Sequence, residues 1–221
     1  SDLKPSDSFR APEVSASDIL AGPLNPPLLR LSIPMMAGFL FQIGFNYVDS
    51  FYVAYLGADA LAAVGSIMFV AWALMSLAEL VSVGVMSLVA RSVGAGRPEE
   101  GGAVGLTGAV LSLGLSLLTV AAMWFAAQPL VESFGLDPAP TRLGLQYLRI
   151  VILGYPAMVG FLLVESIFRG AGETKTPMIV LAASFVLNIA LDRALIFGLG
   201  PVPALGVEGA AIATICSRAL G

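Results

Sequence analysis

The chain has no histidine, one cysteine and few charged residues, which make up 12% of its 221 positions. The missing histidine excludes the Ser-His and Cys-His catalytic arrangements and every His-based zinc site. With no enzyme chemistry pointed to, the chain does not read as an enzyme. One cysteine, Cys216, excludes an intrachain disulfide, and its apolar surroundings read as a packed, inert thiol. Basic residues number 11 against 15 acidic ones, a net charge of −4 that offers no footprint for nucleic acid. Soluble domains are about a quarter charged, so this chain falls well short of that class. What takes the place of charge is apolar: 57% of residues are hydrophobic before glycine is counted, and mean hydropathy is +0.90. The composition is that of an all-α membrane protein crossing the bilayer several times.

Residues 1–27 are polar and contain Pro5, Pro12, Pro23, Pro26 and Pro27. They lack the basic start and short apolar core of a signal peptide and are expected to form a tail and an interfacial lead-in. Breakers then divide the chain into helices expected at about 28–56, 60–93, 102–127, 141–168, 177–199 and 206–221. Pro34 and Pro156 should bend the first and fourth. The last segment would span about 24 Å, short of a hydrocarbon core of about 30 Å. The chain therefore reads as stopping inside a helix, as a truncated polypeptide would.

An N-terminus in the cytoplasm puts Lys4, Arg10, Arg30, Arg91, Arg97, Arg169 and Lys175 on the cytoplasmic side. Arg142 and Arg149 are left outside. That asymmetry supports the orientation.

Two stretches carry the chemistry. In the fifth apolar segment Asn188 and Asp192 are four residues apart and share one helical face. In the first, Asp49 lies at a matching depth, about seven residues from the outer end. An acid inside an apolar span is costly, so it needs a partner. Asp49 and Asp192 are each other's best candidates. Arg193, about 100° around the helix from Asp192, can swing toward the acids and modulate them, snorkel outward, or pair with Glu208. Glu79 can contact a cationic substrate or pair with another helix, and Glu165 and Arg169 are spaced for an interfacial ion pair. Phe39, Phe41, Phe45, Met35, Met36 and Met68 can line a cavity or face lipid.

Three segments in order carry a resemblance: Val89-Ala90-Arg91-Ser92-Val93-Gly94-Ala95-Gly96-Arg97, Phe168-Arg169-Gly170-Ala171-Gly172-Glu173-Thr174-Lys175-Thr176-Pro177-Met178, and Leu187–Gly200 followed by Leu205–Thr214. Together they resemble the N-terminal lobe of the multidrug and toxic compound extrusion (MATE) transporters, in their DinF-like branch. The resemblance implies a six-helix lobe, half of a twelve-helix, two-lobed transporter whose C-terminal lobe lies beyond this chain. It implies efflux of a small organic, cationic or amphipathic substrate from the plasma (bacterial inner) membrane, in exchange for H+ or Na+ and without a further cofactor or metal. Asp49, Asn188 and Asp192 match the family's helix-one and helix-five site, Thr214 a helix-six threonine that joins it, and Pro34 the proline at which that branch bends. Arg193 departs from the family, which usually has proline there. A lipid-linked precursor flippase of the same superfamily and a non-transporting assembly half are the alternatives.

Overall fold

A computed structural model describes residues 25–201 and 203–220. The tail expected over 1–24, with Lys4 and Arg10, lies outside the described residues. Six helices follow: α1 (Asn25–Ala54), α2 (Ala58–Gly94), α3 (Pro98–Glu132), α4 (Pro138–Gly170), α5 (Lys175–Phe197) and α6 (Val207–Ala219). The first five are long and apolar enough to cross a membrane.

α3 shows how such a sequence folds without water. From its start to Thr119 its buried residues are small: Gly101, Gly105, Gly108, Ser112, Ser116 and Thr119, spaced three or four apart. Leu106, Val110, Leu113, Leu117 and Phe125 point outward. In lipid the large apolar side chains gain nothing by hiding, whereas small residues let backbones approach. The hydroxyls of Ser116 and Thr119 bond back to the carbonyls of Leu113 and Leu115, so they do not sit bare in the interface.

The helices form two packed groups. α4 lies against α2 and α3, while α5 lies between α1 and α6; α6 also packs on α4 and joins the groups. Tyr155 on α4 donates a hydrogen bond of 2.7 Å to the Leu74 carbonyl of α2, tying the first group internally. A core including Val53, Val64, Ile67, Leu148, Ile152, Ile196 and Val207 closes one end across both groups.

Helix limits differ most from expectation in α3, which starts four residues before 102 and continues five past 127. Pro98 is the reason at the start. In a first turn proline's absent N–H has no partner to lose, so Pro98 opens the helix instead of breaking it. Pro138 opens α4 in the same way. α1 begins at Asn25, inside the expected lead-in, and its regular part stops at Ala54. Tyr55 and Leu56 then bond to Tyr52 and Val53, tightening the last turn.

The connection from α5 to α6 doubles back. Leu205 N–H donates to the Leu195 carbonyl (2.8 Å) and Gly206 N–H to that of Ile196 (3.2 Å), satisfying carbonyls that the end of α5 leaves open. Gly206, at φ 58°, supplies the left-handed turn this requires. α6 thus starts level with the end of α5 and runs back along it.

Candidate functional site

The registers of three helices bring the polar residues together. Between α1 and α5, the Phe45 and Phe185 rings meet at 5.6 Å, and Tyr52 meets Phe197 at 6.0 Å. Asp49 lies between Phe45 and Tyr52, and Asn188 and Asp192 lie between Phe185 and Phe197. Between α5 and α6, Gly209 abuts the Leu195 backbone. Antiparallel helices in that register set Thr214, five residues on, level with the stretch from Asn188 to Asp192.

Asp49 is 5% exposed, and Asn188 and Asp192 are fully buried. With its amide turned so that the NH2 faces the acids, Asn188 donates to Asp49 Oδ1 (3.2 Å) and Asp192 Oδ2 (3.3 Å). One amide nitrogen therefore bridges the two carboxyl groups. The Thr214 hydroxyl lies 3.0 Å from both Asp49 Oδ2 and the Ala210 carbonyl, so its one proton serves either. Asp192 Oδ1 is buried with no hydrogen-bond partner among the described residues. The cluster offers carboxylate and hydroxyl oxygens, hard donors that suit a proton or a hard cation better than a soft metal. Two carboxylates facing each other in a low dielectric repel strongly unless a positive charge lies between them.

All four residues singled out from the sequence and the resemblance meet here. Arg193 does not. It is exposed, and its guanidinium stacks 5.5 Å from the Phe197 ring, one turn along α5. Among the described residues it forms no ion pair with Glu208 either, so aromatic stacking takes the place of the partners expected for it. Replacing Arg193 by Gln is therefore predicted to leave any cation affinity of the cluster within about twofold of the wild type, because an outward charge acts weakly on a buried site. A larger shift in a cation titration of the purified protein would put Arg193 back into the site.

Pro34 is buried within α1, fifteen residues from Asp49 and about 22 Å along the helix. Between them α1 lends Phe39, Gln42 and Asn46 to a cavity of about 350 Å³, which α2 and α4 complete with Trp72, Glu79 and Glu165. A smaller chamber of about 100 Å³ adjoins it, sharing Gln42, Asn46 and Trp72 and reaching Asp49 and Thr214. The polar cluster thus touches the cavity through Asp49 and Thr214.

The aromatic and methionine residues sort into different places. Phe39 faces the larger cavity and Met68 the smaller, Phe41 and Phe45 pack on Phe185, and Met35 and Met36 line a surface groove. Among the described residues Glu79 faces the larger cavity and forms no ion pair, and Glu165 bonds to Arg169. Sequence reasoning missed Arg218, which lines both chambers. The signal was there: it follows Thr214 by four residues, on the same face of α6.

The MatE family model matches residues 34–193. The chain is 30% identical over 200 residues to an FAD transporter of Shewanella oneidensis, covering 90% of this chain and 44% of the relative. It is 29% identical over 199 residues to a probable multidrug resistance protein NorM of Thermotoga maritima, covering 90% and 43%. A solved outward-facing multidrug resistance MATE transporter of the MOP superfamily superposes with a TM-score of 0.85 at 32% identity, over 96% of this chain and 46% of that one. The chain spans less than half the length of the curated relatives it matches.

Proposed function

Since the chain belongs to the MatE family, we propose that it forms one lobe of a secondary active multidrug efflux antiporter. The transporter exchanges an organic, cationic or amphipathic substrate for H+ or Na+, and a second six-helix lobe completes it. The observation that carries this reading is the pair of buried acids, Asp49 and Asp192, held under one Asn188 amide with a carboxylate oxygen left unpartnered. Such a pair binds one positive charge between two negative ones.

α1 is the element that couples the ion to the cavity. It carries Asp49 near one end, Pro34 toward the other, and cavity-lining Phe39, Gln42 and Asn46 between them. Neutralising Asp49 loosens its hold on α5 and α6, and α1 bends or straightens about Pro34, which reshapes the cavity. The driving force is the different affinity of ion and substrate for the two states of α1. We place the N-terminus in the cytoplasm of a bacterial inner membrane. Arg91, Arg97, Arg169 and Lys175, which helix alternation gathers at one end of the bundle, support this.

The test is efflux by the full-length protein in proteoliposomes, with Na+ and pH gradients imposed separately. One of the two gradients is expected to drive substrate movement against its concentration. Efflux indifferent to both would overturn the antiporter and favour a passive or structural role.

A further inference from the structure

Among the described residues Arg218 forms no hydrogen bond or ion pair with the four cluster residues, yet it is a half-buried arginine in the last turn of α6, and a charge drawn out of water needs a partner or a purpose. It lies one turn beyond Thr214 on α6, with its guanidinium 4.9 Å from the centre of the Phe45 ring. It shares the smaller chamber with Asp49 and the larger cavity with Glu165. Neither forms an ion pair with it among the described residues, and its Nε is buried without a hydrogen-bond partner. Both acids are engaged elsewhere: Asp49 by Asn188 and Thr214, Glu165 by Arg169.

The charges on the wall of the larger cavity can then be followed one by one. Glu165 and Arg169 neutralise each other. Glu79 and Arg218 remain, opposite in sign and without an ion pair among the described residues, on a wall that also carries Phe39, Trp72 and Phe161. We propose that Arg218 recognises an oxyanion, a carboxylate or a phosphate, on an aromatic amphiphile whose other end is cationic and is met by Glu79. The cavity thus selects zwitterions over simple organic cations. Guanidinium presents its donors in a rigid fork that fits an oxyanion at two points, and such charge-assisted bonds are the stronger kind. A purely cationic ligand would leave Arg218 unsatisfied and would be repelled by it, which discriminates as well as attracts.

This inference rests on the proposed function, takes the larger cavity as the chamber that holds the substrate, and narrows what it accepts. Its test needs no gradient, so it can fail while ion-driven efflux stands, and the reverse. The full-length protein in lipid nanodiscs is titrated with rhodamine B, a zwitterion, and with its ethyl ester, the same ring system without the carboxylate. Fluorescence anisotropy reads the binding. The wild type is expected to prefer the acid about tenfold, as one charge-assisted hydrogen bond allows. Arg218→Gln should bring the acid down to the affinity of the ester and leave the ester no weaker, while Arg218→Lys keeps part of the preference. Glu79→Gln should weaken both dyes alike and leave their ratio unchanged, a result that also shows the cavity intact in a variant with Arg218 in place. A wild type that binds neither dye, binds both equally or prefers the ester overturns the inference, as does a preference surviving in Arg218→Gln.

Discussion

Replacing Asp49 by Asn is expected to reduce gradient-driven efflux to the level of protein-free liposomes while leaving the protein folded. Asparagine has the shape of aspartate and retains an oxygen that can accept from Asn188 or Thr214, which now lie 3.2 and 3.0 Å from the carboxylate. On the proposed function, what is lost is one of the two negative charges between which the coupling cation binds. A ligand moves a two-state equilibrium only by its difference in affinity for the states, and a full swing needs a ratio on the order of 10⁴. With Asp192 alone, that difference collapses. The apparent melting temperature should stay level or rise, because burying like charges opposes folding and the substitution removes one of them. Efflux by Asp49→Asn above about half the wild-type rate under the same gradient would show that the cluster does not couple transport. Lost efflux together with a large fall in melting temperature would assign Asp49 a structural role instead.

The pairing of Asp49 with Asp192 could be read from sequence because its physical signal is strong. An acid in an apolar span is costly wherever it lies, and the four-residue spacing to Asn188 fixes a shared helical face. Thr214 was different. A threonine in a membrane helix is ordinary, since its hydroxyl can bond back to its own helix, as here to Ala210. Only the resemblance assigned it to the site. Arg218 carries the strong kind of signal, a charge four residues from Thr214, but in a segment too short to read as a full membrane span. The positions of Phe39 and Phe45 were not legible at all. In lipid the outer surface is as apolar as the interior, so periodicity does not separate cavity, core and membrane faces. Pro98 and Pro138 misled for a simpler reason: proline ends helices and also begins them, and composition alone does not say which.

The second large effect is expected at a residue with no polar atom in its side chain. Gly209 lets α6 approach α5 so closely that a Cβ there would sit 2.5 Å from the Leu195 carbonyl oxygen and 2.6 Å from its carbon. Backbone does not step aside as a side chain can, and this carbonyl already accepts from Leu205. Gly209→Ala must therefore push α6 outward, at about 1–3 kcal/mol as overpacked sites show. The same displacement carries Thr214 away from Asp49, so ion-driven efflux should fall along with the apparent melting temperature. Gly114→Ala is the matching control, since nothing lies within 4 Å of a Cβ at that position of α3. There the change should be neutral or stabilising by up to about 1 kcal/mol, from helix propensity alone. Thermal unfolding of the two full-length variants in one detergent separates the cases. If Gly209→Ala melts with Gly114→Ala, the helices are not in the contact described. The register that sets Thr214 against Asp49 would then have no cause in the packing.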